Sequence, residues 1–238
     1  MKFFFFIPFF LLIFSCSEIT PIEASKSPTP DDLIAHTSEF RKEVIEVTEG
    51  VHVAIGYALA NAILVEGENS NIIIDTTGTI ETAREVKALF DEINSNPIEP
   101  IIYTHNHGDH TYGATVFAED SNPDIYAHDS TEEYLSRVIG IIRPIISSRS
   151  NRMFGNSLPK SEVENNGIGP FLEIGRDGRQ PGLLYPTKTF SDKIKFEAGG
   201  VKIELFHAPG ETNDQLFVWL PEKKALFPGD NFYKTFPN

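Results

Sequence analysis

Apolar positions along the chain follow three spacings, and each predicts a different kind of segment. Residues 3–14 are apolar throughout except for Pro8. That run is too short to span a bilayer, which takes about 20 residues, and it has the length of a secretory leader's apolar centre. Short runs of four to seven apolar or alternating residues predict strands at residues 60–66, 71–75, 100–103 and 124–127. Residues 46–54 read as a hairpin closed near Glu49-Gly50. Ile72-Ile73-Ile74 is continuously apolar, as a strand buried on both faces should be. Helical spacing appears at residues 79–94, where Ala83, Val86, Leu89, Phe90 and Ile93 form one stripe. It appears again at residues 130–143, with Tyr134, Leu135, Val138, Ile139 and Ile142 on one side. Shorter helices are expected at 31–43 and 111–119. Two more hairpins follow, at residues 193–206 around Ala198-Gly199-Gly200 and at 214–227 around Pro221-Glu222-Lys223. Between these regular parts, residues 151–187 are rich in Gly, Asn and Pro without periodicity. They predict an irregular insertion, and long irregular segments inside compact domains commonly border a functional site.

Composition narrows this picture. The chain has 238 residues, 40% of them hydrophobic and 23% charged, enough for one α/β domain with a real core. Its net charge of −14 argues against nucleic acid and anionic headgroups as partners. The only cysteine, Cys16, follows the leader in Leu12-Ile13-Phe14-Ser15-Cys16-Ser17. That run resembles the lipobox of bacterial lipoproteins, with Phe14 bulkier than the usual residue there. The expectation is a signal peptide at 1–15 and export, with the membrane reached only through a lipid on Cys16 in the periplasm or outer membrane. An ordinary secreted protein is the alternative. Pro21, Pro28 and Pro30 mark a tether over 16–33, which leaves 34–238 as the folded domain. Without a second cysteine no internal disulfide can form, so stability rests on packing and on any bound metal.

Candidate chemistry concentrates in one stretch. His105, His107, Asp109 and His110 fall within six consecutive residues, directly after the strand at 100–103. Imidazole nitrogen and carboxylate oxygen suit zinc, at Zn–N distances of about 2.0–2.1 Å. His105 and His107 can turn to one ion and Asp109 and His110 to a second, with Gly108 allowing a tight bend between the pairs. Two ions about 3.5–4 Å apart could share a bridging hydroxide. So compact a cluster needs remote ligands, and two later strands also run into Gly-containing turns followed by a carboxylate: Pro209-Gly210-Glu211 and Pro228-Gly229-Asp230.

His105-Asn106-His107-Gly108-Asp109-His110 resembles the HxHxDH motif of the metallo-β-lactamase superfamily. The resemblance implies an α/β fold, the αββα sandwich, with two Zn2+ at one edge. It implies His105, His107 and Glu211 on the first metal, Asp109 and His110 on the second, and Asp230 bridging. Asp109 is also the expected catalytic carboxylate. Glu211 stands where most of the superfamily has histidine, which is similar to the alkyl/aryl-sulfatase branch. So are Tyr57-Ala58-Leu59-Ala60-Asn61, residues 104–110 and 207–216, and Pro228-Gly229-Asp230-Asn231-Phe232-Tyr233. The resemblance covers roughly residues 38–238. It implies hydrolysis of sulfate esters of alkyl chains, a small anionic substrate, through a hydroxide held between the metals. That branch also has a last second-metal histidine, a helical dimerisation domain and a smaller domain further along. The expectation is therefore a sandwich incomplete at the carboxy terminus, a fragment of a homodimeric protein, with weak metal binding and poor solubility by itself. Hydrolysis of a lactone, thioester or β-lactam is one alternative, and a non-catalytic lipoprotein that binds anionic amphiphiles is another.

Several further residues invite a role. Asp75 ends a buried strand and could orient a metal-binding imidazole. Tyr112, Asn231 and Tyr233 could hold a sulfate oxygen. His207 reads as a packed strand-end residue, and His36, His52 and His128 as structural or surface residues.

Overall fold

The computed structural model describes residues 31–234. The expected leader, Cys16 and the tether up to residue 30 lie outside the described residues. Helix α1 (Asp31–Thr37) and a 3-10 turn (Ser38–Phe40) lead into strands β1 (Glu43–Thr48) and β2 (Val51–Ile55), a hairpin that turns at Glu49-Gly50 as its sequence predicts. Strands β3 (Ala62–Val65), β4 (Asn71–Ile74), β5 (Ile98–Ile102), β6 (Ile125–His128) and β7 (Lys188–Phe190) extend it into a seven-stranded sheet in sequential order. β1 to β4 run antiparallel and β4 to β7 parallel. A second sheet of β8 (Lys193–Ala198), β9 (Val201–His207), β10 (Leu216–Leu220) and β11 (Ala225–Phe227) is antiparallel throughout. Gly199 and Gly200 both have positive φ, 54° and 77°, which a tight hairpin with right-handed strand twist requires.

The isoleucine run of β4 shows how the layers form. Ile73 packs on the helical side with Ala83, Val86, Phe90 and Phe117. Ile72 and Ile74 point the other way and meet Ile203, Leu205, Leu216 and Val218 of the second sheet. Burying each such side chain stabilises the fold by about 1.5–3 kcal/mol. Helix α2 (Ile80–Ile93) begins where the Thr79 hydroxyl accepts the Thr82 N–H and ends at Asn94. Its buried face is Thr82, Ala83, Val86 and Phe90, while Ile93, expected in the stripe, is 38% exposed.

Three helical expectations change, the first at 31–43, where α1 ends at Thr37, the 3-10 turn at Phe40, and Glu43 already starts β1. The helix expected at 111–119 is two short ones, α3 (Gly108–Thr111) and α4 (Ala114–Phe117). The break falls at Tyr112-Gly113, because a side chain at Gly113 would strike the Thr76 carbonyl and Gly113 N–H donates to Thr77 O. The helix expected at 130–143 is α5 (Thr131–Ser136) with a π turn at Arg137–Ile141, and α6 (Arg143–Met153) continues beyond it. Pro144 sits in the first turn of α6, where its missing N–H costs nothing, so it marks a helix start and the irregular insertion begins later than residue 151. Strand β7 has no periodicity to reveal it at three residues.

Strands β4, β5, β9 and β11 all end, at their carboxyl ends, in the turns that carry Asp75, His105, Glu211 and Asp230. Chemistry in α/β folds gathers at such ends.

Candidate metal centre

Strand β5 delivers His105 fully buried. The six residues from His105 to His110 are not all loop, since Asp109 and His110 lie in the single turn of α3. That turn carries the two side chains past His105, and the ring centroids of His105 and His110 lie 4.2 Å apart.

A small network fixes which nitrogen of each ring faces inward. Asp75 has φ 58° and sits at the end of β4. Its Oδ1 accepts the Thr104 N–H at 2.8 Å, and its Oδ2 accepts the Thr104 hydroxyl at 2.8 Å. The same Oδ2 lies 2.7 Å from His110 Nδ1. A carboxylate can only accept, so His110 carries a proton on Nδ1, and Nε2 is the nitrogen that its neutral form leaves free to ligate. Thr104 has spent its hydroxyl proton on Asp75, so at 3.1 Å it can only accept from His105 Nδ1. His105 Nε2 is then a bare lone pair as well. Both Nε2 atoms are buried and make no hydrogen bond.

Carboxylates face those lone pairs. Glu211 Oε2 lies 3.5 Å from His105 Nε2 and 3.5 Å from His107 Nδ1. Asp230 Oδ1 lies 3.3 Å and Asp109 Oδ2 3.6 Å from His110 Nε2. Ligand atoms of His105, His107, Glu211 and Asp230 all fall within 4.8 Å of one another. Two turns from the four-stranded sheet supply Glu211 and Asp230. Gly210 is required because a Cβ there would overlap Asn231 Oδ1. Asn231 ties the turns together, accepting the Glu211 N–H at 3.2 Å and donating to Ala208 O at 2.7 Å. Gly229 adopts φ 55°, and the Tyr233 hydroxyl donates to Asp230 Oδ2 at 2.8 Å. Asn231 and Tyr233, expected near a sulfate oxygen, hold the turns, and Tyr233 also lines the cleft beside Asp230. Tyr112 is buried with its ring against Gly108.

Charge in the site is finely balanced. Burial drives the His105 pKa well down, helped by His110 and His107. Burial also disfavours charge on His110, but Asp230, Asp75 and Asp109 outweigh it and hold that pKa well above the usual value. At His107 burial is likewise outweighed, here by Glu211 and Asp109. Burial raises the Asp109 carboxyl. Burial would raise Asp230 too, yet His110 keeps it far below the usual carboxylate range. Two buried imidazole nitrogens without a hydrogen-bond partner, facing three carboxylates 3.3–3.6 Å away, make a donor set that fits divalent cations.

Beside Asp109, His110 and Asp230 opens a cleft of about 410 Å3 with Phe40, Leu59, Ile168, Pro170, Phe227 and Phe232 in its wall. Ile168 and Pro170 come from the irregular segment, which thus borders the centre. The other histidines stay apart from it: His207 stacks on His128 with centroids 3.8 Å apart, and His52 pairs with Glu66 at 2.8 Å.

Glu173 and Asp214, both fully buried, escape the sequence reading. Glu173 accepts the Gly78 and Leu59 N–H groups at 3.0 and 3.3 Å, and burial pushes its pKa up to about 7. The one signal was a carboxylate between the apolar Leu172 and Ile174. Asp214 stands in the turn that follows Glu211, where nothing in the sequence sets it apart from an ordinary turn aspartate.

A family model described as "Metallo-beta-lactamase superfamily" matches residues 56–236. The linear primary-alkylsulfatase of Pseudomonas sp. (strain ATCC 19151) is 29% identical over 174 residues, 70% of this chain and 32% of that protein. The 2,4-dinitroanisole O-demethylase subunit alpha of Nocardioides sp. (strain JS1661) is 30% identical over 198 residues, 83% of this chain and 46% of that one. The solved structure of the stereoselective inverting sec-alkylsulfatase Pisa1 from Pseudomonas sp. superposes with a TM-score of 0.70 at 21% identity, covering 78% of this chain and 30% of that one. The chain therefore has the same fold, and spans about a third of the length of these alkylsulfatases.

Proposed function

The chain belongs to the metallo-beta-lactamase superfamily, and from that premise we propose that it carries the centre of a zinc-dependent hydrolase cleaving sulfate esters of alkyl chains. The observation that carries this reading is one juxtaposition. Four ligand atoms converge within 4.8 Å, with Glu211 among them, and an apolar cleft opens beside them. Likeness to the linear primary-alkylsulfatase supports the substrate class.

His105, His107 and Glu211 would hold one ion, Asp109 and His110 a second, and Asp230 both. Zinc, when bound, supplies Lewis-acid polarisation of the ester and an attacking oxygen at neutral pH. The rest falls to the chain. Asp75 keeps the His110 ring turned inward, and Tyr233 holds Asp230 Oδ2 so that Oδ1 faces His110. Asp109 lines the cleft, which supports its part as the carboxylate that touches the reacting ester. Phe40, Leu59 and Ile168 give an alkyl chain a dry wall, where each buried methylene contributes about 0.8 kcal/mol.

The test is metal content by elemental analysis, followed by sulfate release from dodecyl sulfate by the zinc-loaded protein. Two zinc per full-length chain and sulfate release by it are expected. Cleavage of nitrocefin, a lactone or an aryl methyl ether with dodecyl sulfate left intact would overturn the substrate. Binding of dodecyl sulfate by a protein that takes up no metal would favour a non-catalytic lipoprotein. Hydrolysis in 18O-labelled water, with the label found in the alcohol or in the sulfate, decides between C–O and S–O cleavage.

The leader-like run before Cys16 supports export and acylation there. Among the described residues no helix is long and apolar enough to cross a membrane. Cys16→Ser should move the protein from the membrane fraction to the soluble periplasm, and an unchanged distribution would refute the lipid anchor.

A further inference from the structure

We infer that Asp214 is a positioning residue for the metal centre: it sets the distance between the His105–His107 pair and Glu211. This rests on the metal-hydrolase reading above and goes beyond its ligands. Asn106 lies between His105 and His107, and its Nδ2 donates to Asp214 Oδ1 at 2.6 Å. Thr131, at the start of α5, donates its hydroxyl to Asp214 Oδ2 at 2.8 Å. Asp214 is fully buried and stands three residues after Glu211. Its side chain therefore joins the histidine segment of one sheet to the glutamate turn of the other.

The need for such a tie shows in the ligands' own packing. His105 is completely enclosed, so its neighbours hold it. The His107 side chain is 42% exposed and that of Glu211 33% exposed, so packing alone fixes neither. Their separation depends on how the two backbones are registered. One backbone bond does part of this, from Leu216 N–H to Thr104 O at 2.9 Å. The Asn106–Asp214 bond is the side-chain link closest to both exposed ligands in sequence. A carboxylate suits the post because it only accepts, so it fixes the direction of both donors. The role is geometric: Asn at 214 can still accept from Asn106 and donate to the Thr131 hydroxyl.

Zn2+ affinity of the full chain, measured by competition with a chromophoric chelator, tests this, together with the visible absorption of the Co2+-loaded protein. Asp214→Ala and Asn106→Ala should each weaken binding about 10–100-fold and alter the Co2+ spectrum, as loss of outer partners of metal ligands does. Asp214→Asn should stay within about threefold of the wild type and keep its spectrum. The double variant Asn106→Ala/Asp214→Ala should be no worse than Asp214→Ala, since Asp214→Ala already removes the one bond that Asn106→Ala removes. If Asp214→Ala folds poorly, Asn106→Ala and Asp214→Asn still decide. Wild-type affinity in Asn106→Ala, or a loss in Asp214→Asn as large as in Asn106→Ala, would overturn the inference alone. A wild type that binds no zinc would overturn the metal reading and this inference with it.

Discussion

At the scale of single residues the centre is built of two kinds of group. The candidate ligands are legible because their chemistry is dense in sequence: three histidines and an aspartate in six residues have few uses apart from metal. Asp75 could be guessed from its place at the end of an apolar strand, and its 2.7 Å contact with His110 Nδ1 gives that guess a physical role. Glu173 was illegible, because its partners are two backbone N–H groups from loops about 95 and 114 residues away. It also carries a pH prediction. Its carboxyl is pushed from 4.5 up to about 7 by burial. Between those values the folded state binds more protons than the unfolded, so stability should fall as pH rises from about 4.5 to 7. The contribution is on the order of 3 kcal/mol. Glu173→Gln cannot ionise, and its denaturation midpoint should change less over that window, although one of the two amides loses its acceptor. Urea denaturation at a series of pH values checks this, and equal slopes for the two proteins would refute it.

At the scale of elements, periodicity found what is long and regular and missed what tertiary contacts impose. Helix α2 was readable to its caps, since Thr79 and Asn94 are the ends that the apolar stripe and the following prolines imply. The break between α3 and α4 was not, because it depends on Thr76 approaching Gly113 from another strand's end. The irregular segment was expected beside the site, and Ile168 and Pro170 in the cleft wall put it there. This segment and α2 should respond differently to substitution. Thr79→Ala removes a cap and should cost about 1 kcal/mol of stability with no effect on substrate binding. Ile168→Ala should raise KM for dodecyl sulfate on the order of tenfold with kcat little changed, because it removes apolar contact made equally in the ground and transition states. Steady-state kinetics with sulfate esters of increasing chain length separates the two, and equal KM values for wild type and Ile168→Ala would exclude that wall as the chain's seat.

At the scale of the molecule, the centre lies across the joint between the sheets. His105, His107, Asp109 and His110 follow a strand of the seven-stranded sheet, and Glu211 and Asp230 follow strands of the four-stranded one. A bound ion would therefore cross-link two layers otherwise joined by contacts such as Ile74 with Leu205. Without an ion the same place gathers three carboxylates around three imidazoles. Metal that binds only the native state stabilises it by about 2.7 kcal/mol at one hundred times its dissociation constant. For a domain of this size that is a rise in melting temperature of roughly 5–10 °C. Adding EDTA should reverse it, and Mg2+ should not replace Zn2+, since imidazole suits zinc and magnesium prefers oxygen. The sign of the pH dependence follows from competition between ion and proton for the same lone pairs. The zinc-dependent rise should fade on acidification, as protons compete for His107 and His110, whose carboxylate neighbours raise their pKa, while burial keeps His105 free of a proton. Scanning calorimetry with and without zinc between pH 5 and 8 reads this directly. A melting temperature indifferent to zinc and EDTA across that range would mean that the two sheets are held by packing alone, and that the convergence of these six side chains does not hold a metal.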